Sequence, residues 1–305
     1  MQGVSEMIEL VTRPGDAVVV TTPVYAPFFD FLARVGRTVR PVPLTPAHRL
    51  DLDALEEAFA AKETTAVLLA SPHNPTGTVH TGAELTALAH AARRHGVRVV
   101  VDEIHAPLVL PGATFTPFLS VDAGDDALVV TSASKAWNLA GVKAAVAVAG
   151  PRSANDLARL PEVVGHGPSA LGILAHTVAL EEGGPWLDAV LAHLASQRAL
   201  LGELLTTRLP SVRWRPHEGT YLAWLDVSRL GLGDRPAAAL LDRARVAFSE
   251  GAPFGGDPHS GRAGAVHAGT GAGYVRVNTA TTREILVEAI ERVAAVVGDV
   301  GDRAP

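Results

Sequence analysis

The run TSASKAWNLAGVK, residues 131–143, puts Lys135 on a polar loop directly after the short apolar stretch 127–130. A primary amine can bond a carbonyl cofactor covalently and later serve as a base. Ser132, Ser134 and Lys143 add hydroxyls and a cation suited to a phosphate, so the segment fits a cofactor of the pyridoxal 5'-phosphate kind. Taken alone, the same pattern is more often a solvated surface lysine, because S-x-K is short enough to recur by chance.

Other chemistry-bearing residues lie at comparable places. Tyr25 sits on a loop held extended by Pro23 and Pro27, and Asn74 is at the tip of the proline-stiffened SPHNPTG loop, residues 71–77. Asp102 and His105 follow the apolar run VRVVV. Near the start, Val4 and Ser5 stand at the head of an expected helix, where open backbone amides favour an anion, although a plain helix start reads the same way. His259 and His267 lie in a Gly-rich stretch at 251–273 among loop-forming residues and lack ligand spacing, so no metal site is expected.

These residues need a scaffold that brings loop tips together. Apolar, β-branched runs near 17–20, 38–44, 64–70, 97–101 and 127–130 alternate with helical patterns near 28–36, 51–61 and 81–96. The third pattern carries Thr81 as its cap with Glu84 three residues on. Alternation of this kind predicts an α/β fold: a large domain with a mostly parallel sheet covered by helices on both faces. Ligands bind such sheets beyond the carboxyl ends of the strands. Tyr25, Asn74, Asp102, His105 and Lys135 all fall just after strands, so one crevice can collect them. Past residue 150 the pattern turns helical, with a long helix near 185–209, and a smaller C-terminal α+β unit follows. The expected division is 1–185 and 186–305, and the last eight residues read as a frayed tail.

Composition narrows the function. The 305 residues carry 26 Lys and Arg against 32 Asp and Glu, a net charge of −6, with no basic run to hold nucleic acid. Apolar residues make up 48% with no uninterrupted run near the ~20 residues a bilayer helix needs, so neither membrane nor polynucleotide is an expected partner and the cytoplasm is the expected location. The absence of cysteine removes disulfides, thiolate metal sites and thiol nucleophiles.

Read together, SPHNPTG at 71–77, VDEIHAPLVL at 101–110, SASKAWNLAGVK at 132–143 and GYVRVNTA at 273–280 resemble the fold-type I pyridoxal-phosphate enzymes of the aminotransferase class I/II superfamily. Within it, PGDAVVVTTPVYAPF, DEIHAPLV, GGPWLDAVL and TYLAWLD are most similar to the cystathionine β-lyase-like branch. The resemblance implies that Lys135 holds pyridoxal 5'-phosphate and moves the substrate Cα proton. Asp102 would face the pyridine nitrogen, Asn74 and His105 the 3' oxygen, and Tyr25 the ring face. Ser132, Ser134, Lys143 and the amides of Val4 and Ser5 would hold the phosphate, and Arg276 the substrate carboxylate. The implied activity is β-elimination from cystathionine or a related S-substituted cysteine, in a homodimer. The alternatives are amino transfer to a 2-keto acid on the same scaffold, or a cofactor-binding or interaction protein with impaired catalysis. The family also carries an N-terminal segment ahead of the position of Gly3, which contributes to its pocket. The Gly- and His-rich stretch before Gly273 is not part of the family pattern.

Overall fold

Six short strands pair side by side in the larger sheet, and the central ones, rich in valine, leucine and alanine, are apolar on both faces and so must be covered on both. The computed structural model describes residues 1–256 and 271–301, with side chains through 297. His259 and His267 lie outside the described residues, as does most of the Gly-rich stretch.

The first part of the chain runs α1 (Gln2–Val11), β1 (Ala17–Thr22), α2 (Pro27–Arg34), β2 (Thr38–Pro43), α3 (Leu52–Ala60), β3 (Thr64–Ala70), α4 (Gly82–Arg94), β4 (Arg98–Asp102), β5 (Leu128–Thr131) and β6 (Val146–Ala149). The strands form one sheet in the order β2-β1-β3-β4-β5-β6. Its β1 to β5 ladders are parallel, while β6 runs antiparallel to β5. Alternate residues of each strand separate into two cores. Val19, Val67, Leu69, Val99, Val101 and Val129 meet the apolar faces of α3 and α4. Val18, Val20, Leu68, Val100 and Val130 meet α1 and α2 on the other side. The expected covered sheet is thus present, and Thr81 with Glu84 forms the expected capping box of α4.

The strand–helix alternation stops after β4. Residues 103–127 cross to β5 with no α-helix, only the 3₁₀ turn Phe118–Ser120, and the loop carrying Lys135 joins β5 to β6 directly. The strand β6 is absent from the sequence expectation because its inward positions are Ala147 and Ala149, whose small side chains leave little apolar signal. Val146 and Val148 point outward and are 52% and 40% exposed.

Beyond the sheet come α5 (Ala154–Leu157), α6 (Glu162–Gly165), α7 (Ala170–Glu182) and α8 (Gly184–Arg208). The smaller unit holds β7 (Arg213–Trp214), β8 (Leu222–Asp226), α9 (Pro236–Ala244), β9 (Ser249–Glu250), β10 (Tyr274–Asn278) and α10 (Arg283–Gly301). Its four strands form a second sheet, β7-β8-β10-β9, antiparallel throughout. Leu200, Leu201 and Leu205 of α8 pack there with Leu240, Leu286 and Ile290. The other end of α8 packs on the Lys135 loop, where Leu194 meets Ala136 and Leu108. A division of the chain at 185/186, kept as a proposal, therefore falls in the first turn of a helix that serves both units. The helix α10 also continues to Gly301, four residues into the stretch expected to fray.

Candidate active site at the sheet edge

The carboxyl ends of β1, β3, β4 and β5 deliver Tyr25, Asn74, Asp102 and Lys135 to one region. Arg276 comes from the second sheet and closes the group: its Nη1 donates to Asn74 Oδ1 at 3.0 Å and its Nη2 to Ser249 Oγ at 3.3 Å. Its guanidinium also lies over the ring of Phe254, 4.8 Å from the centroid. Among the described residues its hydrogen-bond partners are neutral oxygens, and the groups whose charge favours it are the Tyr25 and Tyr221 phenols rather than carboxylates. A partly buried guanidinium without a carboxylate counter-charge is suited to a ligand that supplies one.

The electrostatics couple these groups to one another. Burial lowers the pKa of the Lys135 amine, Arg276 lowers it further and Asp102 opposes both. Burial raises that of the Asp102 carboxyl, while the Ile104 amide, bonded to its Oδ1 at 3.1 Å, and Lys135 pull it back. His105 is buried and lowered to about 3, first by desolvation and then by Lys135 and Arg276, so its imidazole is neutral at ordinary pH. Its Nδ1 is buried with no hydrogen-bond partner, and its ring meets Tyr221 edge-on at 5.8 Å. The Tyr25 phenol is raised by burial and lowered by Arg276, and its ring is edge-on to Phe28 at 5.8 Å.

The expected phosphate residues are arranged with their donors occupied. Ser132 Oγ donates to Ala144 O at 2.8 Å, and the hydroxyls of Ser132 and Ser134 lie 2.8 Å apart. Because the Ser132 proton is committed to Ala144, the Ser134 hydroxyl donates to Ser132 Oγ, which also accepts from the Ser134 amide at 3.2 Å. An anion needs donors, so both hydroxyls must turn to serve one. Lys143 is exposed, with Nζ donating to Ala140 O at 2.5 Å. The start of α1 packs on β4 and β5, with Val4 in the core beside Val100 and Val130. Of the two expected amides, that of Ser5 already donates to Met1 O at 3.1 Å as the first turn of the helix, so Val4 provides the open one.

The donor set fits a ring with a basic nitrogen, an acceptor oxygen and an anionic arm: a carboxylate raised by burial, an unpartnered imidazole nitrogen, an amine and a helix start lie around one space. No group of three or more His, Cys, Asp or Glu side chains that could hold a metal occurs among the described residues.

The aminotransferase class I and II family model matches residues 1–293. The chain belongs to that family. A protein of Mycobacterium tuberculosis named "Putative cystathionine beta-lyase" is 49% identical over 96% of this chain and 75% of its own length. The cystathionine beta-lyase PatB of Bacillus subtilis is 31% identical over 95% of this chain and 74% of its own. Among solved structures, cystalysin from Treponema denticola, which contains a pyridoxal 5'-phosphate cofactor, superposes with a TM-score of 0.86 at 27% identity, covering 97% of this chain and 74% of that one. The family membership and the two-sheet architecture agree with the resemblance carried by the four sequence motifs.

Sequence reasoning missed Ser249, Phe254 and Glu103. Ser249 is a lone hydroxyl, and Phe254 stands in a PFGG run that reads as loop. Glu103 shares a motif with Asp102 yet has its own place: it is buried, its Oε1 accepts from the Phe118 amide at 2.8 Å, and burial raises its pKa to about 7.

Proposed function

We propose that the protein is a pyridoxal-phosphate-dependent carbon–sulfur β-lyase acting on cystathionine or a related S-substituted cysteine. The observation that carries the proposal is Lys135, a half-buried amine just past the end of β5 that feels the charges of both the Asp102 carboxylate and the Arg276 guanidinium. The likeness to named cystathionine beta-lyases supports the choice of reaction.

When bound, the cofactor supplies an electron-accepting ring that stabilises negative charge at the substrate Cα. Lys135 Nζ holds the cofactor and then takes the Cα proton. Burial lowers its pKa, which favours the neutral amine that both tasks need. Asp102 would pair with the ring nitrogen and keep a proton there, since a carboxyl whose pKa burial raises is ionised by gaining a cationic partner. Asn74 has Oδ1 committed to Arg276, so its amide protons are free for the ring oxygen, with His105 beside it. Tyr25 covers the ring face. Ser132, Ser134, Lys143 and the open Val4 amide at the start of α1 would hold the phosphate. Arg276 binds the substrate carboxylate through its remaining N–H groups. Loss of the proton from Cα and of the thiolate from Cβ breaks the C–S bond, and water completes the conversion to thiol, pyruvate and ammonia.

A cytoplasmic homodimer belongs to the same proposal. No described helix is long and apolar enough to cross a membrane. The support for a dimer is α7, where Leu171, Leu174 and Val178, spaced three and four residues apart on one face, are 74%, 61% and 44% exposed. A contiguous apolar face of this kind marks an interaction site.

The test is product analysis with the chain loaded with pyridoxal 5'-phosphate. Thiol and pyruvate released from cystathionine in equal amounts support the lyase. Amino transfer to a 2-keto acid without thiol release would establish the aminotransferase reading instead.

A further inference from the structure

Arg276 poses a physical problem that its neighbours solve in an unusual way. A carboxylate side chain beside it would neutralise the half-buried guanidinium but would also fill the N–H fork that a substrate carboxylate needs. Its described neighbours contribute no such anion. Two of the five guanidinium N–H groups go to neutral oxygens, on Asn74 and Ser249, and the face of the guanidinium is covered by the Phe254 ring at 4.8 Å. A π face attracts a cation electrostatically without accepting its in-plane N–H bonds, so three donors stay open.

The surroundings of Phe254 fix that ring in place. Phe254 lies in the 3₁₀ turn Ala252–Gly255 and is only 5% exposed. Trp224 packs edge-on against it at 5.3 Å and is itself stacked on Tyr274 at 5.1 Å and 13°. Trp224 and Ser249 are the two register partners of Arg276 on the neighbouring strands β8 and β9. The main chain of Phe254 also reaches the other half of the site: its carbonyl accepts from the Val24 amide at 2.8 Å, one residue from Tyr25.

We propose that Phe254 is a positioning residue of the carboxylate clamp, its ring holding Arg276 charged and oriented while leaving the guanidinium edge free for an amino-acid carboxylate. The inference rests on the reading that Arg276 receives that carboxylate. It predicts that substrate affinity follows the electron density of the ring at position 254 while the chemical step does not.

The experiment replaces Phe254 by 4-fluoro-, trifluoro- and pentafluorophenylalanine, which keep its shape and weaken the π face stepwise. Binding of 3-(methylthio)propionate to the cofactor-loaded chain is read by calorimetry. This probe has the carboxylate and thioether but no amine, so it binds without reacting. The expected result is a graded loss of affinity reaching about tenfold, with KM for the amino-acid substrate rising in parallel and kcat within about twofold. Phe254→Leu should match the pentafluoro variant, and Phe254→Tyr should retain the parent affinity. Equal affinity across the fluorinated series, with binding still lost in Arg276→Lys, overturns the role of Phe254 alone. Affinity unchanged in Arg276→Lys overturns the clamp and the role of Phe254 together. The probe undergoes no elimination, so these outcomes stand whichever reaction the enzyme performs.

Discussion

Asn74 Oδ1 accepts a hydrogen bond from Arg276 Nη1 at 3.0 Å, across 202 residues of chain and between the two sheets. On the proposed reading, one bond thus orients both the amide meant for the cofactor and the cation meant for the substrate. Asn74→Asp places a carboxylate against Arg276 in competition with the substrate's own. KM should rise by about a hundredfold, while Asn74→Ala, which only removes the bond, should raise it about tenfold. Steady-state kinetics of both variants checks the order.

On the proposed reading, Asp102 serves the chemical step rather than substrate capture. Asp102→Asn removes the charge while keeping the shape and the acceptor that the Ile104 amide uses. We expect kcat to fall by at least about a hundredfold, with affinity for a non-reacting carboxylate unchanged. Calorimetry alongside single-turnover kinetics separates the two.

The buried titratable groups predict a stability that falls with acid. His80 and His217 are lowered to about 4 and His105 to about 3 by desolvation, so the unfolded chain binds protons below pH 6.5 that the folded chain refuses. Their stabilisation is complete above pH 6.5 and is lost as pH falls toward 4. Glu103 works in the opposite sense: with a folded pKa of about 7 against 4.5, its contribution is complete below pH 4.5 and is lost as pH rises through 7. Glu103→Gln should therefore be more stable than the parent near pH 8, by up to about 3 kcal/mol, and equal to it near pH 4.5. Urea unfolding midpoints between pH 4.5 and 8 measure both trends.

The exposed face of α7 predicts an assembly. Leu174→Glu, at a residue 61% exposed and away from the proposed catalytic groups, should shift the protein from dimer to monomer in sedimentation velocity without unfolding it. A parent that sediments as a monomer contradicts the dimer.

Much of the site was legible because its residues sit at the ends of apolar strands, where sequence pattern and chemistry coincide. Tyr25, Asn74, Asp102 and Lys135 could be placed from the strand runs alone. Arg276 was carried by its GYVRVNTA motif. What escaped reading depends on distant packing. The position of Phe254 under Arg276 follows from the register of β8, β9 and β10, and no local pattern encodes it. The strand β6 was hidden by small alanines on its buried side, and the engaged hydroxyls of Ser132 and Ser134 follow from the return of the chain at Ala144. The amide of Ser5 was misassigned as open because one residue of helix phase decides which donors are free.

The most direct measurement is borohydride reduction of the chain loaded with pyridoxal 5'-phosphate, followed by peptide mass mapping. Reduction fixes the cofactor to whichever amine holds it. The cofactor mass should appear on the peptide containing Lys135, and Lys135→Ala should abolish it. Label on Lys143 or Lys62 instead, or no label in the parent, would contradict a site built around Lys135.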